Sequence, residues 1–140
     1  MIKELEKLYA QVPYRNCPEG CCECCGPVPW GPAEQHNIGQ WLAAQGRHML
    51  KINVSNTADL MQMQCPYVQQ GRCSIYEVRP MLCRLFGVVV HKNLICDKGK
   101  ARIQMSRQLA AELMNQVHIL DYIASMNFRW TDGPPICQEC

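Results

Sequence analysis

Eleven of the 140 residues are cysteine, about one in thirteen, and this excess constrains the chain more than any other feature. Cytosolic glutathione and thioredoxin keep most thiols reduced. A cysteine-rich chain without an export signal is therefore expected to use its thiols as metal ligands rather than in disulfides. The odd count agrees, since eleven cannot all pair within one chain. The run Met1-Ile2-Lys3-Glu4-Leu5-Glu6-Lys7 alternates charged and apolar residues and holds no apolar core with a cleavage site, which points to a cytoplasmic protein. A virion or another assembly that oxidises later is the exception left open.

Packing does not explain the cysteines. With 48% hydrophobic and 19% charged residues, the chain suits a single domain over residues 1–140, able to bury roughly 68% of its unfolded surface without covalent help. A formal charge of +2 is too weak a field to indicate nucleic acid. The longest apolar stretches, Leu85 to Val90 and Val117 to Leu120, fall well short of the roughly 18 residues a membrane-spanning helix needs, so no membrane is expected.

The periodicity predicts helices joined by irregular loops. Ile2, Leu5, Leu8, Tyr9 and Val12 recur at helical steps up to Pro13. Pro32 and Glu34 open a second helix through Ile38, Trp41 and Leu42, with Gly46 as its stop. Arg79-Pro80 begins a helical turn through Met81, Leu82, Arg84, Leu85 and Phe86. The stripe Met105, Leu109, Leu113, Val117, Leu120 and Ala124 marks a long amphipathic helix over 101–127. Lys51 to Val54 alternates like a short strand, and Val88-Val89-Val90 is the strongest strand signal. The expected fold is mainly α: a small irregular metal-stapled domain with cysteine-rich loops and little or no sheet.

The cysteines fall into groups. From Cys17 to Cys25 the chain reads C-P-E-G-C-C-E-C-C, with overlapping C-x-x-C steps from Cys21 to Cys24 and from Cys22 to Cys25. A C-x-x-C turn brings two thiolates to one metal while the intervening amides offset their charge. Adjacent side chains usually diverge, so Cys24 and Cys25 serve different metals or only one of each adjacent pair ligates. Cys65, Cys73, Cys83 and Cys96 are spaced more widely, each beside a turn or an element end. Cys137 and Cys140 form a separate C-x-x-C in the tail 131–140, read first as extra ligands acting with Cys22, with a redox-active disulfide and an unattached pair as the alternatives.

The setting of the second group is distinctive: Cys65-Pro66-Tyr67, then Cys73-Ser74-Ile75-Tyr76-Glu77-Val78-Arg79-Pro80-Met81-Leu82-Cys83-Arg84. With the upstream cluster, the region 17–96 resembles the YkgJ-like cysteine-cluster family, named for its C-x2-C-x2-C-C motif and described as chelating zinc or iron. The resemblance implies that Cys17, Cys21, Cys24, Cys25, Cys65, Cys73, Cys83 and Cys96 are the metal ligands. This chain departs from the pattern in two places. Three residues separate Cys17 from Cys21 where the family usually has two, and Cys22 stands where glycine is common.

Zinc and a 4Fe-4S iron–sulfur cluster both accept four thiolates. The cluster is slightly favoured, because the ligand loops alternate with apolar residues able to shield it. The expected role is structural, with a redox or electron-transfer protein and a metal-stapled subunit of a larger assembly with protein partners as the alternatives. No catalytic residues are expected, since eight thiolates leave no open coordination position and no nucleophile–base pair or nucleotide loop is visible. Arg79 and Arg84 are read as structural braces, through pairing with Glu77 or Glu34 or by offsetting thiolate charge. Tyr76 is expected to pack with its hydroxyl at the surface. Among the histidines only His91, five residues before Cys96, stands as a reserve ligand. The basic run from Lys92 to Arg107 reads as a solvated face.

Overall fold

The structure is a computed structural model that describes residues 1–15, 17–18, 20–50, 63–96 and 103–127. The expected strand over 51–54, residues 97–102 of the basic run and the C-terminal pair Cys137 and Cys140 lie outside the described residues.

Among the described residues four α-helices carry the fold: α1 (Ile2–Tyr9), α2 (Pro32–Ala43), α3 (Met81–Leu85) and α4 (Arg107–Asn127). Two 3-10 turns, Tyr76–Val78 and Lys92–Leu94, lie on either side of α3. A two-stranded antiparallel hairpin pairs β1 (Val68–Gln69) with β2 (Arg72–Cys73). The chain is mainly α with little sheet, as the periodicity predicts.

Local chemistry explains the helix ends. Ser106 Oγ accepts a hydrogen bond from the Leu109 amide at 3.2 Å, the usual serine cap, and so α4 starts at Arg107 rather than near residue 101. Pro32 occupies the first turn of α2, where its missing N–H costs nothing. The cap on that helix comes from elsewhere, because Asp121 of α4 accepts from the Ala33 amide at 3.0 Å. At its other end Gly46 is left-handed, and the Arg47 amide closes onto Leu42 O at 2.9 Å.

Val88-Val89-Val90 is not a strand among the described residues. Val89 makes a single parallel bridge to Met105 and the chain turns away, because the short segment before α4 offers no longer partner. Within α4 the buried positions are Ala110, Leu113, Val117 and Ala124. Leu109, expected on that stripe, faces solvent, because the helix begins after Met105 and takes its phase from Ala110.

Two apolar clusters result. One joins Leu5, Leu8, Tyr9 and Val12 to Met81, Leu85, Val88 and the inner face of α4. The other gathers Ile38, Leu42, Tyr67, Ile75 and Val78, with Cys65 and Cys73 packed against it. Glu34 links them: its Oε1 accepts from the Tyr9 hydroxyl at 2.9 Å and from the Met81 amide at 2.6 Å. Burial pushes the Glu34 carboxyl above its usual range, while those two donors pull it down. Arg84 lies over the Tyr9 ring at 4.0 Å.

Candidate metal centre

The nine cysteines among the described residues are all free thiols; Cys96 is buried and the others are partly buried. Among these residues no three His, Cys, Asp or Glu side chains are set, as they stand, to hold one metal ion. Eight of these nine cysteines lie on three parts of the chain that contact one another, and Cys83 lies on α3.

The first part is the loop from Cys17 to Cys25. Successive turns, from the Cys21 amide to Pro18 O and from the Cys25 amide to Cys22 O, coil it tightly. The second is the β1–β2 hairpin. Its turn places Gln70 and Gly71 both at positive φ, the geometry that matches the twist of paired strands. A Cβ on Gly71 would lie 3.1 Å from Gly20 Cα, so the hairpin tip rests on the first loop. Nearby, the Cys65 amide bonds Cys25 O at 2.8 Å. The third part, Phe86 to Cys96, closes through Gly87, whose amide donates to Leu94 O at 2.6 Å.

Arg15 binds these parts together, a role the sequence reading missed. Its Nη1 donates to Phe86 O at 3.3 Å and its Nη2 reaches Cys96 Sγ at 2.6 Å. Its carbonyl accepts from the Tyr76 hydroxyl and from Arg79 Nη2 at 3.5 Å. The Tyr76 hydroxyl also accepts from the Cys17 amide at 3.3 Å. It therefore points inward, contrary to expectation, and spans the first loop and the 3-10 turn. Gly87 has φ +70°, and a Cβ there would lie 2.2 Å from Arg15 Nη1, so only glycine lets the guanidinium through.

Arg79 lies 3.7 Å over the Tyr76 ring. Arg15 is 6% exposed and Arg79 8%, and among the described residues neither has a carboxylate partner. Among the described residues the buried Arg79 Nε has no hydrogen-bond partner. The charges around both are sulfur: Arg15 feels Cys96, Cys17 and Cys24, and Arg79 acts on Cys24, Cys73 and Cys83. Arg84 braces the turn differently from the expected carboxylate pairing. It donates to the backbone carbonyls of Arg79 at 2.9 Å and Glu77 at 2.5 Å, since Glu34 is already occupied.

The thiols perturb one another. A hydrogen bond from the Cys25 thiol holds Cys24 below the usual thiol range and Cys25 above it. Burial pushes Cys83 up to about 12, helped by Cys65 and Cys73. Burial also raises Cys73, while the Ile75 backbone and Arg79 lower it. Cys22 stands apart, its sulfur accepting from Gln64 Nε2 at 3.2 Å. His91 Nδ1 accepts from the Asn93 amide at 3.2 Å and so caps its own turn.

A thiolate-bound metal fits this environment. A buried guanidinium without an anion is costly, and four thiolates on zinc or on an iron–sulfur cluster form a net anion. An all-sulfur donor set also selects soft or borderline metals over calcium or magnesium. A signal for Arg15 was present in the sequence, as the cation two residues before the first cysteine.

A protein-family model, CxxCxxCC, described as a "putative zinc- or iron-chelating domain", matches residues 16–120. The chain matches no curated protein and no solved structure.

Proposed function

Because this chain belongs to the CxxCxxCC family, we propose that it is a metal-chelating protein whose Cys17, Cys21, Cys24, Cys25, Cys65, Cys73, Cys83 and Cys96 bind as thiolates. The observation that carries this reading is the pair of buried arginines. Arg15 and Arg79 lie among sulfurs with no carboxylate partner in the described residues, and anionic thiolates would supply their missing counter-charge. The favoured group is an iron–sulfur cluster, because its ligands are buried or partly buried and two of them, Cys65 and Cys73, pack against an apolar cluster that would shield it. Such a cluster would supply one-electron chemistry when bound, whereas zinc would be redox-inert.

The role is structural. Eight thiolates leave no open position for water or substrate. Iron, zinc and acid-labile sulfide per chain, with a visible spectrum of the same anaerobically purified sample, test the reading. Iron with matching sulfide supports the cluster, and zinc without sulfide replaces it with a zinc staple. Protein that carries neither metal as purified, and takes up none on reconstitution, overturns the proposal.

A further inference from the structure

The long helix α4 carries two apolar faces. Ala110, Leu113, Val117 and Ala124 turn one of them to the core. Ile119, Tyr122, Ile123 and Met126 recur at three- and four-residue steps, which gathers them within an arc of about 100° on the opposite side. These four side chains stay exposed, at 57%, 64%, 43% and 69%. No charge interrupts the patch. Asp121 turns away to cap α2 at Ala33, and Glu112 lies about 10 Å back along the helix from Ile119.

Beside this ridge runs a shallow groove of about 370 Å³ between α4 and α1, whose lining includes Leu8, Ile119 and Leu120. Glu4 and Lys7 also line it and pair with each other at 2.8 Å, so the groove carries no net charge. The four open side chains leave about 500 Å² uncovered, at the upper end of what a soluble monomer shows in one patch. Two such patches brought together bury about 1,000 Å² from these residues alone, which reaches the area a specific interface needs. A two-fold axis along α4 would carry the ridge of each copy, Tyr122 with Met126, toward the groove of the other, and two faces without net charge do not repel.

We infer that the chain pairs with a second copy of itself through this outer face of α4. The helix holds no cysteine, so the pairing is separable from metal uptake.

Sedimentation velocity and native mass spectrometry of the 140-residue chain under reducing conditions test the pairing, with carbene footprinting of the same samples. Wild type should approach twice the 16.0 kDa chain mass at about 100 µM and dissociate on dilution toward about 1 µM. Labelling of Tyr122 and Met126 should fall as the dimer forms. Ile119→Lys and Tyr122→Glu, both at exposed positions, should each weaken association about 10-fold or more, with helicity and metal content as in wild type.

Wild type that stays monomeric at about 100 µM overturns the proposal. Full labelling of Tyr122 and Met126 in that monomer would leave the face to a different protein, and protection at every concentration would mean that residues 128–140 of the same chain cover it. A dimer that survives both substitutions, or whose Tyr122 and Met126 label as in the monomer, pairs through another surface and overturns it equally.

Discussion

Replacing Arg79 with methionine should destabilise the metal-loaded protein while leaving the metal-free protein neutral or slightly more stable. In either form Arg79→Met loses the stack on Tyr76, worth about 1–2 kcal/mol for a desolvated cation over a ring. In the metal-free protein burial holds Cys73 and Cys83 neutral, so the substitution also removes a buried charge without a carboxylate. Apolar replacement of buried charges often stabilises by about 1–4 kcal/mol, which leaves the metal-free variant neutral or slightly more stable. In the loaded protein the guanidinium faces thiolates. At an effective dielectric of about 20 and a separation of about 5 Å, one such attraction is worth about 3 kcal/mol. The loaded variant should therefore be destabilised by about 3 kcal/mol relative to its metal-free counterpart. For a chain of this size that is roughly 10 °C in Tm. Thermal scans of wild type and Arg79→Met, each loaded and chelated under reducing conditions, measure it. Equal shifts in both forms would refute the idea that Arg79 balances metal–thiolate charge.

Two further substitutions test the frame around the centre. Gly31→Ala would place a Cβ 2.0 Å from an Asp121 carboxylate oxygen, so Asp121 must leave Ala33 and the α2–α4 contact must open. A loss of about 2 kcal/mol is expected, of which the cap is about 1. Gly39→Ala meets only Met49 Sδ at 3.5 Å and should stabilise by about 0.5–1 kcal/mol, so equal Tm values for the two variants would contradict the packing. Burial raises the folded value of Glu34, so its contribution is complete below the ordinary glutamate range, about pH 4.3, and is lost as pH rises through the higher folded value. Glu34→Gln still accepts from Tyr9 and Met81 and should flatten that decline; identical pH slopes in denaturation of wild type and variant would count against it.

The helices were legible because each carries its own punctuation. Pro32 with Gly46 bounds α2, Pro80 opens α3, and the spacing of Leu113, Val117 and Ala124 places α4 against the core. The cysteine family was equally legible, because its signature is local in sequence. What sequence could not show depends on partners far along the chain. Val88 to Val90 has the composition of a strand, but among the described residues the only partner offered is Met105. Tyr76 looked like a surface phenol because its partners, Arg15 and Cys17, lie about 60 residues earlier. Arg15 is a single cation whose meaning appears only when Cys96 arrives beside it.

That late arrival sets an order of events during synthesis. A ribosome adds about 5–20 residues per second, so roughly 4–14 s separate the emergence of Cys25 from that of Cys96. Through that interval the leading cluster has five thiols and lacks the Cys96 sulfur that Arg15 engages in the folded chain. Metal delivered early meets an incomplete cradle and can be held only by the thiols already made. On the proposed ligand set, complete loading therefore waits until the segment through Cys96 has closed.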